Sequence, residues 1–415
     1  MKQQIGIIGG GIIGLCCAYY LQKSGYQVTL FDSGEIGKGA SYGNAGWIVP
    51  ALYQPLSSPD IRAKGIKWLL NPNSPFYLKP RLDRDLCKWL WLFNRFCTAE
   101  HAAMGKPLLR DWQLYSLSLF KKMQTDMDTT CEQTGVCFIA RTDKGLQELE
   151  ILAAEAKALD LSAELLTATA INTRETGLSL NCQGGLYYPT DSKVHPYTLV
   201  QHLHSYLIAQ GVHFHTHCAI KALHLSSGSV QSMTDSQGNV HRCDQYIIAG
   251  GAYSDELGKM LDVNLPIQAG KGFSFVTAKT PALDFKTPLM LLEDKIAVTP
   301  YKNHVRFAGT MMFCGKDLSI NQHRVKNMRV AANRLFANVA LTTENTDDVW
   351  AGLRPCSPDG IPLVGRTNPA ANVIVATGHG MLGISLEAAT GKVVSDLVDE
   401  QRPEIDIHAM RLQRF

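Results

Sequence analysis

Three glycines with a fixed spacing, Gly9, Gly11 and Gly14, stand between an apolar run and a helical pattern near the start of the chain. In such a pattern the first glycine allows a tight turn, the second lets the backbone approach a pyrophosphate, and the third lets the helix pack closely on the sheet. The helix N-terminus then presents N–H groups and a partial positive charge to phosphates. Asp32 ends the next strand pattern, where a carboxylate accepts hydrogen bonds from ribose hydroxyls. The pattern predicts a dinucleotide site, and it does not separate NAD from FAD.

A second segment of small residues, 39–46, follows the second strand pattern. It contains Ser41, Asn44, Ala45 and Gly46. Such a loop can lay backbone N–H groups against a further phosphate or against an isoalloxazine ring, which favours FAD.

The elements that must position these residues begin with a strand at 5–8, a helix at 12–23 and a strand at 27–31. Segment 50–80 is rich in proline, serine and asparagine, which predicts loops. Further helical patterns cover 86–96, 107–130, 143–158, 196–210 and 383–397. Further strand patterns cover 212–220, 229–235, 240–243, 246–249, 272–277, 296–300, 304–310 and 373–377. Parallel-type units at both ends of the chain and an antiparallel pattern between them predict interleaved domains.

The composition is that of an ordinary globular protein, with 45% hydrophobic and 19% charged residues among 415. The net charge of +3 favours neither a nucleic-acid surface nor a strong membrane field. Eleven cysteines without a repeated spacing indicate thiols in a reducing, cytoplasmic compartment. Five glycines in the first apolar run argue against a signal peptide, and we expect no transmembrane helix.

Seven stretches together resemble the D-amino-acid oxidase superfamily, closest to bacterial D-amino-acid dehydrogenases (small subunit) and hydroxyproline dehydrogenase-type flavoproteins, with glycine oxidase as a cousin. The stretches are GIIGGGIIGLCCAYYL, SYGNAG, GLYYPTDSKVHP, YIIAGGAYS, GKGFSF, WAGLRPCSPDGIPLVGR and ATGHGMLGISLEAATGKVVSDL. The resemblance implies an α/β fold in which a Rossmann-type (GR2-like) FAD-binding domain, 1–50, 195–255 and 355–415, is interleaved with an α+β substrate domain. That second domain, 51–194 and 256–354, is expected to stand on an antiparallel sheet.

The same resemblance implies a role for each site residue. Arg354 matches the arginine that anchors the substrate carboxylate, which suits a planar guanidinium. His379 either lines the pocket or only holds its turn. The implied FAD contacts are Gly9, Gly11, Ile12, Ile13, Gly14, Asp32, Ser33, Ser41, Asn44, Ala45, Gly46, Ala219, Gly250, Gly251, Gly378, Gly380, Met381, Leu382 and Gly383.

Two departures from glycine oxidase leave the carboxylate short of contacts. Ala297 stands where that enzyme has a tyrosine, and Met381 stands where it has an arginine. Tyr53 and Lys271 are two candidates for the second contact. Met311 matches a pocket-wall methionine, although a buried core methionine is the commoner interpretation.

The implied reaction is oxidation of the Cα–N bond of a small amino or imino acid, of D-amino acid or D-proline/hydroxyproline type. Hydride passes to flavin N5, the imine is hydrolysed, and electrons go to a quinone or respiratory acceptor. The alternatives are a glycine/sarcosine-type oxidase using oxygen, a flavin-binding protein that acts through a partner, and an NAD(P)-dependent dehydrogenase. The last is disfavoured because it leaves the C-terminal GHG segment without a purpose.

Two further patterns were weighed. His213, His215 and His217 with Cys218 suggest a metal site, but strand spacing holds the histidines too far apart, so we predict no metal. The aromatic segment 87–97 is either a helix packed on the substrate domain, the favoured interpretation, or a membrane-surface helix. The second keeps open a peripheral location on the inner face of the plasma membrane.

Overall fold

The computed structural model describes residues 3–59, 61–62, 74, 76–127, 129–175 and 178–415. Its first elements are strand β1 (Gln4–Ile8), helix α1 (Ile12–Lys23) and strand β2 (Gln27–Phe31). The two strands pair in parallel, with Ile7 opposite Leu30. The helix ends at the predicted glycine, because Gly25 has a φ of 91°, which disfavours other residues.

The β1–α1–β2 unit belongs to a six-stranded sheet whose order is β19-β20-β13-β1-β2-β9. The other strands are β9 (His213–His215), β13 (Gln245–Ile248), β19 (Leu363–Arg366) and β20 (Val373–Thr377). All neighbours run parallel except β19, which is antiparallel to β20. Helix α9 (Gly383–Val398) is buried along most of its length and belongs to the same core as α1. These strands come from the three segments predicted for the FAD domain.

A separate three-stranded antiparallel sheet lies between β9 and β13 in the chain. It contains β10 (Ile220–Ser226), β11 (Ser229–Asp235) and β12 (Val240–His241). The predicted strand at 212–220 is wrong, because the chain leaves the extended conformation at His217, whose φ is 53°. Residues 213–215 therefore join one sheet, and a new strand starts at Ile220.

The second large sheet has nine strands. They are β4 (Phe76–Leu78), β5 (Val136–Ala140), β6 (Glu164–Thr167), β7 (Gly184–Tyr188), β14 (Gln268–Ala278), β15 (Leu289–Leu291), β16 (Ile296–Pro300), β17 (His304–Phe313) and β18 (Asp347–Cys356). The antiparallel prediction holds for most pairs, but β15 with β5 and β17 with β4 are parallel. A small pair, β3 (Trp47–Ile48) and β8 (Ser192–Lys193), stands apart from both large sheets.

Among the residues that the structure describes, the further named helices are α2 (Arg84–Phe96), α3 (Ala99–Met123), α4 (Asp143–Ala158), α5 (Ala168–Arg174), α6 (Pro196–Ala209), α7 (Ser254–Lys259) and α8 (Gln322–Leu335). Helix α3 starts earlier than predicted because Thr98 caps it, its hydroxyl accepting a hydrogen bond from the His101 N–H. Helix α8 was not predicted, since its pattern is dominated by charged and amide residues. Much of the predicted loop region 50–80 lies outside the described residues. Among the helices that the structure describes, none is long and apolar enough to cross a membrane.

Candidate active site

A cavity of about 860 Å³ opens at the carboxyl edge of the six-stranded sheet. The segments that follow β1, β2, β13 and β20 all line it, and the opposite wall is built from β14, β17 and β18. Ligands of parallel sheets bind at this edge, because the loops after the strands converge there. The cavity is therefore the candidate active site.

The glycine turn has the geometry that its sequence predicts. Gly9 has a φ of 121°, and a Cβ there would meet the Ala249 carbonyl oxygen at 2.3 Å. A Cβ on Gly14 would stand 1.9 Å from the Gly9 carbonyl oxygen, so Gly14 serves close packing and does not line the cavity. Gly11 does line it, with only the Ser41 hydroxyl 3.7 Å from an added Cβ. The space beside the start of α1 is thus open for a phosphate.

Asp32 is held at the edge of the cavity by backbone donors. Its Oδ2 accepts from the Gly10 N–H at 2.6 Å, and its Oδ1 accepts from the Gly34 N–H at 2.8 Å. Two fixed hydrogen bonds orient the carboxylate, while its remaining lone pairs stay available for ribose hydroxyls.

The loop 39–46 is fixed by contacts from helix α1 and from the nine-stranded sheet. Ser41 Oγ accepts from the Ile12 N–H at 3.1 Å, which ties the loop to the start of α1. Buried Arg306 donates to the carbonyl oxygens of Tyr42 and Asn44 at 2.9 and 3.1 Å. Gly46 lies outside the cavity lining, because its left-handed backbone packs against the Val194 carbonyl oxygen. The loop therefore presents Ser41, Asn44 and Ala45 to the cavity, and Gly46 only shapes it.

A second glycine turn precedes α9. Gly378 and Gly380 have φ values of 80° and 52°, and no atom lies within 4 Å of a Cβ added at Gly380. The Gly380 N–H donates to the Pro355 carbonyl oxygen at 2.9 Å, which joins this turn to the strand that carries Arg354. The turn and the start of α9 face the cavity through Gly378, Gly380, Met381, Leu382 and Gly383.

His379 is buried in this turn and also lines the cavity. Its Nε2 lies 3.0 Å from the hydroxyl of Thr390, and that hydroxyl donates to the Leu386 carbonyl oxygen. Because the Thr390 hydrogen is already used, we infer that His379 Nε2 carries the proton of the pair. Burial lowers the pKa of His379 to about 3, so its ring is neutral at physiological pH. His379 thus both holds the turn and contributes to the wall.

Arg354 is the cation of the opposite wall. Its Nη1 donates to the Thr310 carbonyl oxygen at 2.5 Å, and burial lowers the pKa of its guanidinium. Gly272 makes room for this side chain, because a Cβ there would stand 2.3 Å from the guanidinium atoms. Among the described residues, no carboxylate lies within 4.0 Å of its nitrogens. Arg354 is partly buried and lines the cavity, so its guanidinium is open to an anion that enters there, and a carboxylate matches its planar donors.

Two residues suggested as partners of Arg354 do not line the cavity. Tyr53 is fully buried, and its hydroxyl lies 3.4 Å from Glu155 and 3.5 Å from the Leu152 carbonyl oxygen. Lys271 is also buried, and its Nζ donates to Asp317 at 2.8 Å and to the Ser319 carbonyl oxygen at 2.9 Å. Both interpretations are therefore corrected: the polar groups of Tyr53 and Lys271 are used elsewhere.

The other predicted residues meet at one cavity. Its lining includes Gly9, Gly11, Ile12, Ile13, Asp32, Ser33, Ser41, Asn44, Ala45, Ala219, Gly250, Gly251 and Met311. An apolar lobe, defined here as Phe138, Leu152, Met290, Leu292 and Ala297, adjoins them. Sequence reasoning missed Thr310 and Gly272, although Gly272 stands in the quoted GKGFSF stretch.

The histidine-rich segment does not form the cluster that its spacing suggested. His213 and His215 are exposed on β9, whereas Cys218, Asp235 and His241 bring their ligand atoms within 4.8 Å of one another. Asp235 accepts from His241 Nε2 at 2.9 Å, from the Asn239 amide at 3.0 Å and from two backbone N–H groups of its own turn. These hydrogen bonds explain why Asp235 and His241 lie close together: they stabilise the turn between β11 and β12.

The fold and the cavity define a class, the dinucleotide-dependent oxidoreductases with a Rossmann-type sheet. Comparison with known proteins narrows it. The family model described as "FAD dependent oxidoreductase" (DAO) matches residues 4–397, and the chain belongs to this family. FAD is the cofactor of the family, and the prediction of FAD is confirmed.

Curated relatives match along nearly their whole length. A protein named D-amino acid dehydrogenase 1, from Mesorhizobium japonicum, is 30% identical over 99% of both chains. A D-amino acid dehydrogenase from Vibrio vulnificus is 29% identical over 96% of both chains. The chain is therefore an FAD-dependent oxidoreductase related to enzymes of that name.

Solved structures share the fold. Glycine oxidase from Geobacillus kaustophilus has a TM-score of 0.79 at 21% identity and full coverage of both chains. L-proline dehydrogenase from P. horikoshii has a TM-score of 0.78 at 16% identity, with coverage of 100% of this chain and 98% of that one. At these identities the likeness concerns the fold alone.

Proposed function

We propose that this protein oxidises the Cα–N bond of a D-amino acid or of a D-proline-type imino acid. The observation that carries the proposal is Arg354, a partly buried cation on the cavity wall without an acidic partner among the described residues. A free amino acid brings the carboxylate that this arginine lacks. The names of the two relatives support the D-amino acid.

The protein's contribution is to bind and orient. Arg354 fixes the carboxylate, and the hydrogen bond between Gly380 and Pro355 fixes the distance from this anchor to the turn before α9. FAD, when bound along Gly9–Gly14, Asp32, the 39–46 loop and the 378–383 turn, supplies a hydride acceptor for the Cα–H. No protein acid or base is needed at the reacting carbon, because the neutral amine's lone pair stabilises the product imine, which water then hydrolyses.

The substrate side chain is proposed to occupy the apolar lobe. Phe138, Leu152, Met290 and Leu292 offer hydrocarbon there, and Ala297 leaves space where glycine oxidase has a tyrosine. A side chain of several carbons gains free energy from burial in this lobe, at about 25 cal/mol per Å² of apolar area. Glycine gains nothing there, which disfavours the glycine/sarcosine-type oxidase alternative.

The electron acceptor is proposed to be a quinone or another respiratory carrier. The dehydrogenase name of the relatives supports an acceptor other than oxygen. Helix α2 packs on the core through Leu86, Trp89 and Leu92, as favoured from the sequence, yet Trp91 is 62% exposed. Leu82, just before the helix, is fully exposed. These two side chains support a cytoplasmic protein that binds peripherally to the inner face of the plasma membrane.

A product assay tests the proposed reaction. The holoenzyme is incubated without oxygen with D-leucine, D-proline or glycine and an artificial electron acceptor, and 2-oxo acid, ammonium or cyclic imine is measured. We expect D-leucine to give 2-oxo acid and ammonium in equal amounts, and glycine to react far more slowly. Turnover of glycine alone would favour the glycine oxidase alternative, and no turnover of any amino acid would favour a flavoprotein that acts through a partner. Stopped-flow mixing of the reduced enzyme with oxygen and with a quinone analogue separates oxidase from dehydrogenase.

A further inference from the structure

Strand β17 contains a bulge opposite the site of Arg354. Phe273 pairs with Gly309, and Lys271 pairs with Met312, so the single residue Gly272 faces both Thr310 and Met311. A bulge of this kind bends the strand and changes the direction of side chains, and such bulges recur next to active sites. Here it brings two consecutive residues, Thr310 and Met311, to the cavity wall.

The backbone of Thr310 is strained. Its φ is 58°, in the left-handed region that a β-branched residue seldom adopts. Strain of this kind costs about 1–3 kcal/mol and persists where the surroundings impose it. In this conformation the Thr310 carbonyl oxygen accepts the hydrogen bond from Arg354 Nη1, so the bulge orients the guanidinium.

The hydroxyl group of the Thr310 side chain makes no hydrogen bond within the described part of the protein. Its Oγ1 is buried and has no hydrogen-bond partner among the described residues. A buried hydroxyl without a partner costs free energy that a ligand can recover by supplying one. Thr310 and Arg354 line the same cavity, and the Thr310 carbonyl oxygen contacts the guanidinium, so both residues belong to one part of the wall.

A carboxylate bound at Arg354 would have acceptor positions for a second donor. Tyr53 and Lys271 are occupied elsewhere, and Ala297 has no polar group to offer. A carboxylate has two oxygens with about four lone-pair directions, more than one guanidinium edge satisfies. A neutral hydroxyl that donates to this anion adds a charge-assisted hydrogen bond.

We propose that Thr310 is a substrate-binding residue: its hydroxyl donates to the carboxylate that Arg354 holds, and its strained backbone orients that arginine. This inference rests on the proposed function, because it takes the anion at Arg354 to be the carboxylate of an amino acid.

The test separates the two halves of an amino acid. 4-Methylpentanoate is leucine without its amino group, and 3-methylbutylamine is leucine without its carboxyl group. Each is titrated into oxidised holoenzyme, and the change in the flavin absorption spectrum gives its Kd. For Thr310→Val, which keeps the shape of the side chain and loses the hydroxyl, we expect the Kd of the acid to rise at least about tenfold while that of the amine stays the same.

Two variants control for backbone strain. Thr310→Ser keeps the hydroxyl and should bind the acid within about threefold of wild type, and Thr310→Gly relieves the strain but should bind as weakly as Thr310→Val. An unchanged acid Kd in Thr310→Val, or equal losses for acid and amine, would overturn the proposal. So would equal losses in the valine and serine variants. These titrations measure binding without turnover. Failure of the protein to oxidise amino acids would reject the proposed function, and the effect of Thr310→Val on acid binding could still be interpreted.

Discussion

Arg354 concentrates the chemical specificity of the site in one side chain. It is partly buried, it has no acidic partner among the described residues, and it stays charged despite a lowered pKa, because guanidinium is a very strong base. Charge without a partner is costly inside a protein. In the proposed function the carboxylate of the substrate supplies the anion that Arg354 lacks.

Replacing Arg354 by alanine is expected to leave flavin binding intact and to reduce kcat/KM for a D-amino acid by at least about 100-fold. The loss corresponds to about 3 kcal/mol of transition-state binding when a buried carboxylate loses its partner. Flavin content from absorbance and steady-state kinetics with an artificial acceptor measure both quantities. Exposed Arg242→Ala is a matched control that should keep wild-type rates. An unchanged kcat/KM in Arg354→Ala would show that Arg354 does not bind the substrate carboxylate.

Arg354 lines the cavity as the sequence led us to expect, whereas Lys271 does not, for a reason visible in β14. Alternate residues of a strand face opposite sides of a sheet. Gly272 faces the cavity and the guanidinium, so its neighbour Lys271 faces Asp317 on the other side. The sequence does not show which face meets the cavity, because the register against β17 is shifted by the bulge at Thr310. The glycine turn was predictable because the residues that shape it, Gly9, Gly11 and Gly14, all lie within six consecutive positions of the sequence.

At the scale of elements, the contact between β1 and α1 depends on the absence of one side chain. We expect Gly14→Ala to lose FAD and to lower the melting temperature, because its Cβ would collide with the Gly9 carbonyl oxygen at 1.9 Å. Flavin content after purification and thermal unfolding measure the effect. The control is Gly365→Ala in β19, where an added Cβ meets nothing within 4 Å and the backbone is not left-handed. A flavin-loaded Gly14→Ala protein with wild-type stability would contradict this role of the motif.

Helix α9 contains an acid that the mechanism does not use. Glu387 is 1% exposed, neither of its carboxylate oxygens has a hydrogen-bond partner among the described residues, and burial raises its pKa well above the usual value. A carboxyl group whose pKa is raised on folding contributes most at pH values below its unfolded pKa. That contribution is lost as the pH rises toward the folded pKa.

Glu387→Gln, which resembles the protonated acid, should therefore raise the melting temperature of the holoenzyme more at pH 8 than at pH 5. Thermal unfolding at the two pH values measures the difference. An equal effect at both would mean that Glu387 keeps the same charge in folded and unfolded protein across this range.

At the scale of the whole molecule, two sheets built from interleaved segments place the cofactor edge opposite the substrate wall. The parallel sheet takes strands from both ends and the middle of the chain, and the mixed sheet takes the segments between them. Periodicity suggested this interleaving, and the family resemblance supplied its boundaries. The parallel pairs of β15 with β5 and of β17 with β4 escaped prediction, since they join distant segments without a local signal.

The central claim is that a D-amino acid, anchored through its carboxylate at Arg354, reduces FAD in this cavity. Anaerobic stopped-flow mixing of the purified holoenzyme with D-leucine and, separately, with L-leucine tests it most directly. The account predicts that the oxidised flavin absorption band bleaches with the D-enantiomer in a single saturable phase, and that the L-enantiomer leaves the band largely unchanged at equal concentration. A protein that purifies without flavin, or a flavin that neither leucine nor proline of D configuration reduces, would contradict the account.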